Sequence, residues 1–130
     1  MKYIIFIALG GSIGAVSRYL ISKHLDDLFP LSNIPIGTLI VNMIGGFLIG
    51  LLFALFHYYS VSSEIRLFLA IGILGAFTTF SSFSFETINL FKQNGMSYAL
   101  LNITLNNVLC LLMVLAGSFT VNLFLKTKNI

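Results

Sequence analysis

Charge is what this chain has least of. Of its 130 residues, 8% are charged and 58% are hydrophobic, whereas soluble domains carry about 25% charged residues. The shortfall excludes an ordinary soluble domain and marks an integral membrane protein. The seven basic residues and the net charge of +3 are scattered, so no basic block points to nucleic acid. Cysteine is nearly absent. Cys110 stands alone in an apolar run, which excludes an internal disulfide framework and reads as a small buried residue. Catalytic patterns are missing too. His24 and His57 sit at the ends of apolar segments and pair with no cysteine or carboxylate pattern. There is no nucleophile–base set and no glycine-rich phosphate loop with its lysine, so an enzyme is not expected. His57, in FHYY, reads as an interfacial residue beside an aromatic belt.

Long apolar runs fill the rest. They cover about residues 3–22, 36–59, 67–91 and 98–125, separated by KHLDDLFPLSN, SVSSEIR and KQNGMS. Each is long enough to cross a hydrocarbon core of ~30 Å at about 1.5 Å per residue. The N-terminal MKYIIFIALGGSIGA has the ingredients of a secretory signal but reads as the first membrane helix. Loops this short make consecutive helices antiparallel neighbours. The expected fold is one all-α domain of four transmembrane helices over residues 1–130. Small residues recur at packing intervals: Gly10 and Gly14, Gly46 and Gly50 beside Gly45, then Gly72 and Gly75. Such positions let helix backbones approach closely in lipid. Four short helices enclose little volume, so their polar faces are expected to meet a second copy. Lys2, Arg66, Lys126 and Lys128 fall on one side of a four-span topology, and Arg18, Lys23 and Lys92 on the other. Four against three is almost no positive-inside bias. It permits insertion both ways, and hence an antiparallel dimer.

Polar residues within the runs are costly in hydrocarbon and need a partner or a task. GAFTTFSSFSF, residues 75–85, interleaves four phenylalanines with five hydroxyls behind a glycine. Gly75 permits an unusual backbone, and Thr78, Thr79, Ser81, Ser82 and Ser84 compete for main-chain groups. A break of the third helix is therefore expected here. Broken membrane helices expose carbonyls and N–H groups that hold ions when protein shields them. Phe80 and Phe83, three apart, point the same way, and their positive ring edges suit an anion. Packing alone is the alternative for any one of these rings. Thr38 and Asn42 share a helix face, and the Asn42 carboxamide carries two N–H donors for an anion stripped of water. A structural inter-helix hydrogen bond is the plainer role. Arg18, ending the first segment, is either a snorkelling interfacial arginine or part of an anion-attracting vestibule or tether. Glu86 is the one acidic residue in a membrane segment, with Asn89 on nearly the same face, and is placed to line an aqueous mouth. The fourth segment carries Asn102, Asn106 and Cys110 as a stripe, with Thr104 and Asn107 nearby.

GGSIGAVSRY (10–19), GTLIVNMIGGFLIG (37–50) and GILGAFTTFSSFSFE (72–86), in this order on the first three segments, resemble the Fluc/CrcB family of fluoride channels. The resemblance implies a small four-helix protein of the inner (plasma) membrane, working as an antiparallel dual-topology dimer. Two fluoride paths would run along the subunit interface, with a structural sodium ion at the centre. It places the sodium-binding carbonyls at Gly75 and Thr78, the pore phenylalanines at Phe80 and Phe83, the pore asparagine at Asn42 and the vestibule arginine at Arg18. Thr79 and Ser82 would supply hydroxyls, and Glu86 would sit near a pore mouth. Thr38, facing with Asn42, and Asn106, on the fourth-segment stripe, complete the expected pore. One departure stands out. Family members line the fourth helix with Ser/Thr hydroxyls, whereas here the asparagine face leads to Cys110 and Val114, with Thr104 and Ser118 off that line. The implied activity is passive export of cytoplasmic fluoride. A small drug/proton antiporter and a non-conducting assembly subunit are the competing functions. The antiporter needs a buried first-helix carboxylate, and residues 3–22 contain none. Retention of Arg18, Asn42, Phe80 and Phe83 favours a homodimer over a heterodimer.

Overall fold

The computed structural model describes residues 2–127. Lys128, one of the basic residues counted above, and the Lys126 side chain lie outside the described residues. All regular structure among the described residues is helical. Helix α1 is Lys2–Leu28 and α2 is Ile36–Tyr58. The third span is divided. Its first part, α3, occupies residues 63–77 and contains a π-helical stretch, Leu67–Leu74. Its second part, α4, is Phe80–Asn94, and α5 is Met96–Thr127. Four spans, counting α3 and α4 as one, are long and apolar enough to cross a membrane.

Glycine decides how the helices pair. Helix α1 packs along α3, and α2 along α5. At the first crossing a Cβ on Gly10 would stand 2.9 Å from the Gly72 Cα, and one on Gly14 would overlap the Ile73 carbonyl. At the second, Gly46 and Gly50 lie against the carbonyls of Cys110 and Val114, while Gly117 lies against that of Phe47. Both crossings are backbone-to-backbone contacts that only glycine allows, as the spacing of small residues predicts. Outside these seams large apolar side chains cover much of the helix surface. Ile4, Leu20, Phe85, Leu111 and Phe124 are all exposed, the surface of a protein solvated by lipid.

Several boundaries differ from the hydropathy reading, the third span beginning at Ser63 rather than near residue 67. Helix α1 continues six residues past Ser22 to Leu28, because charge ends an apolar run but not a helix, and Pro30 comes only later. There Asp26 Oδ1 accepts the Gly37 N–H at 2.9 Å, tying α1 to the start of α2. The polar break before α5 shrinks to Gly95, whose φ of 90° turns the chain between two helices. At the opposite end Arg66 donates to the Phe56 and Val61 carbonyls at 3.1 and 3.3 Å, closing the end of α2. Lys2 pairs with Glu64 at 2.7 Å nearby.

Candidate functional site

The third span breaks at Thr78 and Thr79. Both are extended, with ψ of 156° and 121°. Gly75, expected to supply an unusual backbone, is instead helical at φ −63° and ψ −33°. The hydroxyl residues cause the break. Thr79 Oγ1 accepts the Ser82 N–H at 3.2 Å and caps α4. Thr78 Oγ1 folds back to the Leu74 carbonyl at 3.0 Å. Asn42 then occupies the gap. Its Oδ1 accepts the Thr79 N–H at 2.9 Å, and its Nδ2 donates to the Thr79 carbonyl at 3.1 Å and to Asn106 Oδ1 at 3.2 Å. Both Asn42 amide hydrogens are thus engaged, and the inter-helix bond weighed from the sequence is present.

Main-chain oxygens lose their helical donors at this break, those of Gly75 and Thr78 among them. In a continuous helix the Thr79 N–H would donate to the Gly75 carbonyl, and the Ser82 N–H to the Thr78 carbonyl. Here those donors turn to Asn42 Oδ1 and Thr79 Oγ1. Gly75 is exposed, and a Cβ there would have only the Ala70 carbonyl within 4 Å, at 3.6 Å. Gly75 and Thr78 therefore fit a hard cation that takes neutral oxygens. No group of three His, Cys, Asp or Glu side chains that would hold a metal occurs among the described residues.

Two clefts meet at Thr79. An open groove of about 410 Å³ is bordered by Asn42, Gly75, Thr78, Phe80, Phe83 and Asn106, with Cys110 and Val114 further along α5. The second, of about 470 Å³, is bordered by Arg18, Thr38, Ser82 and Glu86, with Lys23, Asp26 and Asp27 at its rim. Every residue assigned to the pore or the ion site thus lines one cleft or the other, and Thr79 lines both. In the groove Phe80 stands out at 77% exposure while Phe83 is buried, their ring centroids 5.5 Å apart. In the second cleft the Thr38 hydroxyl donates to Glu86 Oε1 at 2.7 Å. Glu86 Oε2 is buried without a hydrogen-bond partner among the described residues, a buried acceptor that calls for a donor. The Arg18 guanidinium makes no ion pair there among the described residues. Sequence reasoning noted Asn102 on the α5 stripe but missed its partner Thr87, because a contact between two helices leaves no trace in spacing along either.

A membrane helix broken between a polar cleft and a largely apolar groove defines a small multi-pass membrane protein with its polar chemistry at mid-span. The family model for CrcB-like protein, Camphor Resistance (CrcB), matches residues 5–118, and the chain belongs to this family. The chain is 52% identical over 117 residues to proteins named fluoride-specific ion channel FluC from Shewanella loihica and Shewanella woodyi, covering 90% of this chain and 94% of each relative. It is 50% identical over the same length to the protein of that name from Shewanella sediminis.

Proposed function

We propose that this chain is a fluoride-selective ion channel that lets cytoplasmic fluoride leave passively down its electrochemical gradient, as a multi-pass protein of the inner membrane. Membership of the CrcB family and the names of its relatives support the reading. The observation that carries it is the break pinned by Asn42, between a cleft of hydroxyls under Arg18 and a groove of phenylalanines. Fluoride is compact and a strong hydrogen-bond acceptor. A lane of hydroxyls and positive ring edges beside the Asn42 amide stabilises it without a full cationic charge that would trap it. Neutral HF crosses bilayers and ionises inside, so a passive anion path suffices to clear it.

The path is completed by a second, antiparallel copy. Phe80 is far more exposed than Phe83, and a partner across the groove supplies its surroundings. A structural sodium ion at the two-fold axis would be held by the Gly75 and Thr78 carbonyls of both copies. When bound, it supplies a fixed positive charge that holds the two breaks together. The antiporter reading is not favoured. Asp26, on the extended end of α1, is engaged with the Gly37 N–H. The test is efflux from proteoliposomes. Fluoride should leave rapidly and chloride should not. Equal rates, or none with well-folded protein, would overturn the proposal.

A further inference from the structure

The bond from Asn42 to Asn106 is the first link of a chain that runs away from both clefts. Asn106 Nδ2 donates to Asn102 Oδ1 at 3.0 Å and to the Asn102 carbonyl at 3.2 Å. In a regular helix that carbonyl also accepts the Asn106 main-chain N–H, and its second lone pair takes the side chain, so both Asn102 oxygens hold Asn106. Asn102 Nδ2 donates to Thr87 Oγ1 at 2.8 Å, and the Thr87 hydroxyl donates to the Phe83 carbonyl at 2.7 Å. A hydroxyl has one hydrogen. Once it is spent on Phe83, Thr87 presents only lone pairs to Asn102. Every donor therefore points one way, from Asn42 through Asn106, Asn102 and Thr87 to the backbone of Phe83. At the near end the order is fixed independently by the main chain of Thr79, since a turned Asn42 amide would set N–H against N–H and oxygen against oxygen. Asn102 is fully buried, and Asn106 and Thr87 nearly so, so water does not substitute for a lost link.

We propose that Asn102 and Thr87 are positioning residues for anion conduction. Neither lines a cleft. Together they hold Asn106 in the donor–acceptor order that the Thr79 main chain sets for Asn42 from the other side, so that the groove wall keeps a single arrangement of amide groups beside an anion. The conduction half of this inference rests on the fluoride-channel reading, whereas the relay itself does not.

The test pairs Thr87→Val, which keeps the shape and removes the hydroxyl, with Thr87→Ser, which keeps the hydroxyl. Side-chain ¹⁵N–¹H amide spectra of the full-length protein, with Asn42 assigned by Asn42→Ala, are read beside fluoride efflux from liposomes. Thr87→Val should shift the Asn42 amide resonances although the two residues do not touch. It should also slow efflux about tenfold, the upper range of one neutral hydrogen bond. Thr87→Ser should restore both. Should Thr87→Val fail to fold, Thr87→Ala removes the hydroxyl without the added methyl. An unmoved Asn42 signal overturns the relay, and equal efflux by the valine and serine variants overturns the conduction role. A parent protein that passes no fluoride would sink the channel reading and the conduction role with it, while the spectra would still decide the relay.

Discussion

At the scale of single residues, Phe80 and Phe83 show how far neighbours three apart can diverge. Their spacing places both rings on one face, and their centroids are indeed adjacent, yet Phe80 is 77% exposed and Phe83 8%. The helix period predicts direction, but what lies in that direction depends on other elements. The difference separates packing from conduction. Phe80→Ile removes little buried area in the chain and should leave stability unchanged, while fluoride efflux falls tenfold or more. Phe83→Ile should lose under ~2 kcal/mol, as volume-conserving core changes do, with a comparable fall in efflux. An aliphatic group has no positive edge to offer an anion, and each 1.36 kcal/mol added to a barrier slows passage about tenfold. Phe91→Ile, at an exposed position late in α4, is the control and should conduct normally. Efflux at the parent rate from a folded Phe80→Ile protein would assign the rings to packing alone.

At the scale of elements, the two glycine seams and the break behave oppositely under substitution. A side chain at Gly50 meets the Val114 backbone, which cannot move aside as a side chain can, so Gly50→Val should cost several kcal/mol or prevent folding. Gly75 is helical, and a Cβ there would make only an ordinary contact, 3.6 Å from the Ala70 carbonyl. Gly75→Val should therefore leave helix content and melting of the chain within about 1 kcal/mol, since valine is no worse than glycine in a helix. Fluoride efflux and its dependence on sodium should nonetheless be lost, because the added bulk sits at the face proposed for the ion and the second copy. A Gly75→Val protein that conducts normally would remove the ion from that site. Much of this level was legible in the sequence. The four spans follow from apolar length, the seams from glycine spacing, and the break from hydroxyls crowded into one turn. Gly75, named beside those hydroxyls, takes no unusual backbone, because at Thr78 and Thr79 the side chains alone suffice to divert the main chain. The π-helical stretch before it has no signal in residues 67–74, and the glycine contact with α1 does not by itself explain it.

At the scale of the whole molecule, basic residues are nearly balanced between the two ends of the bundle. Lys2 and Arg66 mark one end of the bundle, and Arg18, Lys23 and Lys92 the other. Arg66 is further occupied by the Phe56 and Val61 carbonyls. Orientation follows the count of Lys and Arg in short flanking segments, to which acidic residues add little, so neither direction wins clearly. A single bundle also leaves the Asn42–Phe80 groove open along one side. Both features fit a protein that inserts both ways and closes its path against an inverted copy. Ser60 is exposed in the loop between α2 and α3. Ser60→Cys in a Cys110→Ala background should thus be labelled by a membrane-impermeant maleimide only in part on intact cells, the remainder reacting after permeabilisation. Adding two lysines to that loop should bias insertion, shift the labelled fraction toward one extreme and lower fluoride efflux with it, since copies of a single orientation cannot form the antiparallel pair. Labelling from one side only, in protein that conducts at the parent rate, would rule out dual topology.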